Sequence, residues 1–300
     1  MRTMPAVIAI GEALGDLVPS PGAGYSLHPG GAVANVAVNL RRWGITTGII
    51  TRVGRDFLGE FLIESLRKNG VDVRCVRRMR GAMTGLVFVS LDERGERGFV
   101  FYGKPSADQF LPPRDIRATY IRSCRLLHFG SISMMSLASR AATLKAIRIA
   151  RRQGRMISYD ANVRLNLWEG RHAAARRQIR PLFRHADIVK MSVEELQFLF
   201  GLDAESPRLA RIFSAHRVVF ITSGRDGCYV RRGSLIHHVP APIVKPVDTT
   251  GAGDAFMAGV IYEILTRGKD LDHLSGDELI AIARVANEKG AAAVTRRGAV

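Results

Sequence analysis

The sequence predicts an α/β protein, with a mainly parallel sheet flanked by helices and a small β lid beside it. Two patterns carry that prediction. Short apolar runs alternate with amphipathic stretches of helical period, as a parallel sheet covered by helices requires. Two further stretches break the alternation and read as strands alone. A length of 300 residues with 47% hydrophobic content suits one large α/β domain spanning 1–300.

AVIAI (6–10) and TGIITRV (47–53) are short apolar runs beside glycines and read as buried strands. Between them, residues 30–44 place Val33, Ala37, Leu40 and Trp43 near helical spacing, and Gly44 stops the helix. Residues 57–70 form a second amphipathic helix ending at Gly70. RLLHFG (125–130), MISYD (156–160), DIVKMS (187–192) and VVFITSG (218–224) follow as strands. Helices are expected over 137–152, 171–184 and 193–200 between them, and over 275–290 near the end. The two exceptions are residues 12–30, rich in proline and glycine, and residues 83–105, two strands around a polar turn. These form the expected lid.

Composition narrows the class. No apolar run approaches the roughly 20 residues of a membrane helix, and the early run ends at once in Glu12, as a buried strand would and a signal peptide would not. Three cysteines, Cys75, Cys124 and Cys228, stand far apart with no CxxC pair, which points to free thiols and a cytoplasmic setting. The net charge of +17 comes as scattered pairs such as Arg151–Arg152 and Arg176–Arg177. No RNP, zinc-finger or aromatic–basic pattern accompanies them, so a solvated basic surface is expected in place of a nucleic-acid partner.

The chemistry concentrates in VDTTGAGDAFMAGV (247–260), where a glycine-rich turn opens a helix at Asp254. A helix mouth offers unpaired N–H groups and a favourable dipole to an anion. Asp254 either caps its own helix or serves as a base beside a phosphate held by the N–H groups of Gly251, Ala252 and Gly253. A second glycine-rich turn, GGAVAN, lies at 30–35. Neither turn carries the Lys-Ser or Lys-Thr of a P-loop, and neither is a GxGxxG dinucleotide fingerprint. Transfer of phosphate to an alcohol needs a held γ-phosphate, charge neutralised by Mg²⁺ and an acceptor for the hydroxyl proton.

DTTGAGDAFMAGVI (248–261) resembles the C-terminal signature of the ribokinase/PfkB sugar-kinase family. GGAVANVAVNLRRWG with TRVGRDFLG (51–59) resembles its N-terminal signature. GEALGDL (11–17), KPSADQFL (104–111), YDANVRLNLW (159–168), VKMSVEEL (189–196), TSGRDG (222–227) and AVTRRGA (293–299) extend the resemblance along the chain. It implies a ribokinase-like three-layer α/β/α sandwich with a β lid over the sugar.

By this resemblance Asp254 is the catalytic base, and Gly251, Ala252 and Gly253 form the anion hole. Asp16 would bind sugar hydroxyls, Gly30 and Gly31 would be the hinge diglycine, and Asn35 would contact substrate. Asn162 and Arg164 match an element near the substrate and phosphate path. Lys190, Ser192, Thr222, Gly224, Gly227 and Asn287 fall on the nucleotide side. Glu195 would hold Mg²⁺ through water, while Asp248 and Thr250 fit positions that bind K⁺ in many members. Two residues depart from the usual pattern. Val33 adds bulk next to the substrate turn, and Gly15 removes apolar contact from the lid root. Members usually continue several residues past the TRRGA element, and some of those enclose the ion and the nucleotide; this sequence stops at Val300.

The implied reaction is ATP-dependent phosphorylation of a furanose at a primary hydroxyl. The motifs resemble those of fructokinases most, giving fructose to fructose 6-phosphate as the expectation. Aminoimidazole riboside, 2-keto-3-deoxygluconate and ribose are the alternative substrates. A family member that binds sugar or nucleotide without turnover is the alternative of another class. Some members pair their lids between subunits, so the resemblance also allows a homodimer.

Overall fold

The computed structural model describes residues 4–20, 24–91, 97–213, 217–296 and 298–300. The chain opens with β1 (Val7–Ile10), β2 (Leu14–Ser20) and β3 (Gly24–Gly30), then α1 (Ala32–Arg42), β4 (Thr47–Gly54), α2 (Phe57–Lys68) and β5 (Asp72–Met79). Strands β6 (Leu86–Leu91) and β7 (Arg97–Tyr102) follow, and the polar turn expected between them lies outside the described residues. After the 3₁₀ turn Ala107–Phe110 come α3 (Ala118–Arg122), β8 (Leu126–Gly130), α4 (Leu137–Arg152) and β9 (Met156–Asp160). Helix α5 (His172–Ile179), β10 (Ile188–Ser192), α6 (Val193–Phe200), α7 (Leu209–Ile212) and β11 (Val218–Thr222) complete the alternating part. The chain closes with β12 (Cys228–Arg232), β13 (Leu235–Val239), α8 (Ala252–Arg267) and α9 (Gly276–Val294).

Among the described residues, nine strands form one sheet in the order β13-β12-β11-β10-β9-β8-β1-β4-β5. Its pairs from β11 to β5 are parallel, and β12 and β13 add an antiparallel edge. The central strands are buried along almost their whole length, as strands covered on both faces must be. Helices α1, α8 and α9 pack together over one face, while α4 and α6 pack against β8–β11 on the other. Strands β3-β2-β6-β7 form a separate four-stranded sheet drawn from the two stretches that break the alternation.

Local chemistry sets the boundaries. Ser136 caps α4, and Ser192 and Ser275 close capping boxes with Glu195 and Glu278 at the starts of α6 and α9. The helix expected over 171–184 ends at Ile179 and continues as a 3₁₀ turn, Arg180–His185. Pro181 is the reason, since it offers no N–H to the ladder and clashes with the preceding turn. The last helix runs to Val294, past Gly290, where the missing side chain lets α9 approach the carbonyl of Ala252 in α8. No described helix is long and apolar enough to cross a membrane. The three cysteines are free and buried.

Candidate active site

The carboxyl ends of β8–β11, the start of α8 and the underside of the small sheet enclose a cavity of about 400 Å³. This is the crevice where open α/β sheets bind ligands. Helix α8 enters it with its N-terminus uncapped by any side chain, because Gly251 occupies the N-cap at φ 78°. A Cβ at Gly251 would also meet the Cα of Ala299 at 2.7 Å, so glycine is needed on both counts. The Ala252 N–H reaches the Thr249 carbonyl only at 3.4 Å. Asp254 does not cap its helix. Its Oδ2 accepts a hydrogen bond of 2.8 Å from the side-chain amide of Asn35 in α1, which leaves Oδ1 for another partner.

Beneath the α8 terminus lies Lys190, in the middle of β10. Its ammonium donates to both carboxylate oxygens of Asp160, at 3.1 and 2.9 Å, across the β9–β10 register that pairs the two residues. A Cβ at Gly253 would come within 2.9 Å of Nζ, so the missing side chain lets this cation reach the helix mouth. Burial pulls the Lys190 ammonium downward, but the carboxylates of Asp160 and Glu195 outweigh it and hold the group above its ordinary value. Asp160 is itself raised, through burial first, with Lys190 opposing. A fixed positive charge beside open helix N–H groups is the electrostatic arrangement that stabilises a transferring phosphoryl group.

The opposite wall belongs to the small sheet. Asp16 in β2 is buried, and burial pushes its carboxyl up to about 7, with Arg164 pulling the other way. No hydrogen bond from a described residue reaches this carboxylate, so its oxygens are available to hydroxyls of a ligand. Gly30, next to it on β3, leaves the space that Asp16 fills: a Cβ there would land on the Asp16 carboxylate. Gly31 holds φ at 102° and lies against the backbone of Glu12, where a Cβ would meet the carbonyl at 2.7 Å. Gly30→Ala is therefore expected to displace the Asp16 carboxylate from the cavity wall, which a crystal structure of the variant checks.

Asn162 and Arg164 both adopt positive φ, 34° and 51°, in the turn after β9, and both line the cavity. Non-glycine residues in that region are uncommon and concentrate at functional turns. Ser192, Glu195, Thr222, Gly224 and Thr250 also line the cavity. Both carboxylate oxygens of Glu195 accept backbone N–H groups, Oε1 from Val163 at 2.6 Å and Oε2 from Ser192 at 2.9 Å. Asp248 lies just behind the lining. Its Oδ1 accepts from Thr250 N–H at 2.7 Å and its Oδ2 from Gly298 N–H at 3.0 Å, tying the glycine turn to the chain's last residues. Arg297, part of the TRRGA element, lies outside the described residues.

The family model for pfkB family carbohydrate kinases matches residues 4–300. The chain belongs to the pfkB carbohydrate kinase family. It is 38% identical over 305 residues to Fructokinase-1 of Zea mays, covering 98% of this chain and 93% of that protein. A crystal structure of fructokinase from Vibrio cholerae O395 with fructose, ADP and calcium ion is 35% identical, with a TM-score of 0.88 over 99% of this chain and 94% of that one. Aminoimidazole riboside kinase from Salmonella enterica, complexed with aminoimidazole riboside and an ATP analogue, is 31% identical, with a TM-score of 0.84 over 98% and 94%.

Within this pfkB kinase the geometry places four residues otherwise than the sequence suggests. Asn287 does not line the cavity: its amide donates to the carbonyls of Val239 and Pro240 at 2.8 and 3.2 Å and anchors the end of β13. Gly227 is also a backbone device, holding φ at 100° where a Cβ would collide with the Val239 carbonyl. Val33 adds no bulk to the substrate turn, since it is fully buried in the core against Gly11. The space opened by Gly15 is occupied by the side chains of Leu27, Leu86 and Leu58. Three acids at the site were not singled out in the sequence: Glu12 and Glu194, which line the cavity, and Asp160, buried behind it. Asp160 heads the DANVR turn and pairs with Lys190, and Glu12 lies just past the apolar run that forms β1.

Proposed function

We propose that this protein transfers the γ-phosphate of ATP to the primary hydroxyl of fructose, giving fructose 6-phosphate. One observation carries the reading: Asp254 faces the cavity from an uncapped helix N-terminus, bonded by Asn35 and not spent on its own helix. The sugar would lie between the small sheet and α8, with hydroxyls on Asp16 and its reactive oxygen at Asp254. As that oxygen attacks the γ-phosphorus, the bond to the β,γ-bridging oxygen breaks and ADP leaves, while the hydroxyl proton passes to the free oxygen of Asp254, late in the step when the hydroxyl has become acidic. The N–H groups of Gly251, Ala252 and Gly253 then face the charge on the transferring group, with Lys190 and Arg164 adding positive field.

Carboxylate oxygens in the cavity suit a hard divalent ion that keeps most of its waters. Glu195 fits that part, because each of its oxygens accepts one backbone N–H and retains a second acceptor site. Mg²⁺ held there through water would neutralise phosphate charge. Asp248 and Thr250 supply oxygen donors of the kind K⁺ takes. Thr222, Gly224 and Ser192 would face the nucleotide.

The test is ADP release with Mg²⁺, K⁺ and ATP across fructose, ribose, 2-keto-3-deoxygluconate, aminoimidazole riboside and fructose 6-phosphate. Fructose should give the highest kcat/KM. A preference for aminoimidazole riboside would replace the substrate and keep the chemistry, and the relation to the Salmonella enterica enzyme makes that the alternative to include. Silence on every sugar would refute the kinase reading.

A further inference from the structure

Glu12 lies one residue past the end of β1 and is 2% exposed. Its Oε1 accepts the N–H of Ala32 at 3.0 Å. Ala32 is the first residue of α1, and the N-cap of that helix, Gly31, has no side chain to offer. Glu12 therefore caps α1 from 20 residues away. The next links run forward along the helix. Asn35 N–H bonds the Gly31 carbonyl at 2.8 Å, and the Asn35 amide bonds Asp254 at 2.8 Å. The second oxygen of Glu12, Oε2, is buried with no hydrogen-bond partner among the described residues.

We propose that Glu12 is a positioning residue of the phosphotransfer site that works as a neutral acid: its carboxyl fixes the Gly31–Asn35 turn that aims Asp254, and ionisation would set a second anion beside the base. The role rests on the reading of Asp254 as the base.

Charge around Glu12 supports it. The acids facing it are Asp108, from the 3₁₀ turn Ala107–Phe110, and Asp254, from α8, while α1 gives it the Ala32 N–H. Asp16, Arg164 and Lys190 line the same cavity. Burial, first, and then the two carboxylates push the Glu12 carboxyl up to about 8, against the pull of backbone N–H groups. The group is thus protonated at neutral pH and ionises as pH rises through about 8. Between the ordinary glutamate value and about 8 the native state binds the extra proton, so this residue makes stability fall with rising pH over that window.

Glu12→Gln reproduces the neutral acid and Glu12→Ala removes the cap. Wild-type kcat should fall above about pH 8, approaching tenfold per pH unit as a single inactivating ionisation requires. Glu12→Gln should keep kcat near neutral pH within about twofold and lose that alkaline limb. Glu12→Ala should lose kcat by about tenfold or more at every pH, with the ATP KM little changed. In thermal unfolding, Glu12→Gln should gain on wild type as pH rises from about 5 to about 8. An unchanged alkaline limb in Glu12→Gln, or parallel unfolding curves, overturns the proposal. A wild type that phosphorylates no sugar refutes the kinase reading itself, and the unfolding curves still report whether Glu12 is protonated.

Discussion

Asp254→Asn is expected to lower kcat for sugar phosphorylation by about 10²- to 10⁴-fold, the range general-base removal produces. The substitution keeps the shape of the side chain, and the amide oxygen can still accept from Asn35, whose bond now holds Oδ2 at 2.8 Å. ATP and sugar dissociation constants should therefore stay within a few-fold of wild type, and the loss should appear in kcat alone. Calorimetric titration of each ligand, beside steady-state rates, checks both halves. A binding protein without turnover would give the same titrations and no rate to lose.

The second large effect is expected at Lys190. Lys190→Met removes the cation that meets Asp160 at 2.9 Å and leaves that carboxylate 2% exposed without its partner. Breaking a buried pair from one side costs about 3–5 kcal/mol. Lys190→Met with Asp160→Asn removes both charges and should recover most of that stability, yet it should not recover kcat, because the positive field at the α8 terminus is still missing. Denaturant unfolding of the two single variants and the double variant, with rates for each, separates the structural share of the pair from its share in phosphate transfer.

Much of this site could be read in the sequence because its chemistry is local. TTGAGD carries its own turn, open helix terminus and acid within six residues, and Gly30 and Gly31 mark a place where backbone must come close to other groups. What could not be read depends on pairs remote in the chain. Asp160 and Lys190 meet only through the β9–β10 register, and Asn35 reaches Asp254 across 219 residues. The role of Glu12 was equally hidden, since a helix cap supplied from another segment leaves no capping motif beside the helix.

The fold shows the same division. Buried central strands appear as continuous apolar runs and are plain in the sequence. β5 (DVRCVRRM), β12 (CYVRR) and β13 (LIHHV) lie toward the two edges of the large sheet, carry arginines or histidines, and do not read as buried runs. The early end of α5 was foreshadowed by Pro181, whose effect on the ladder is local, although the helical period continues past it.

The most direct test is a single turnover with γ-labelled ATP, fructose and excess enzyme, followed by analysis of where the label resides. Wild type should place the label on the primary hydroxyl of fructose, and Asp254→Asn should leave it in ATP. Label released only as inorganic phosphate, or transferred equally by the Asn variant, would contradict a role for Asp254 in accepting the sugar proton.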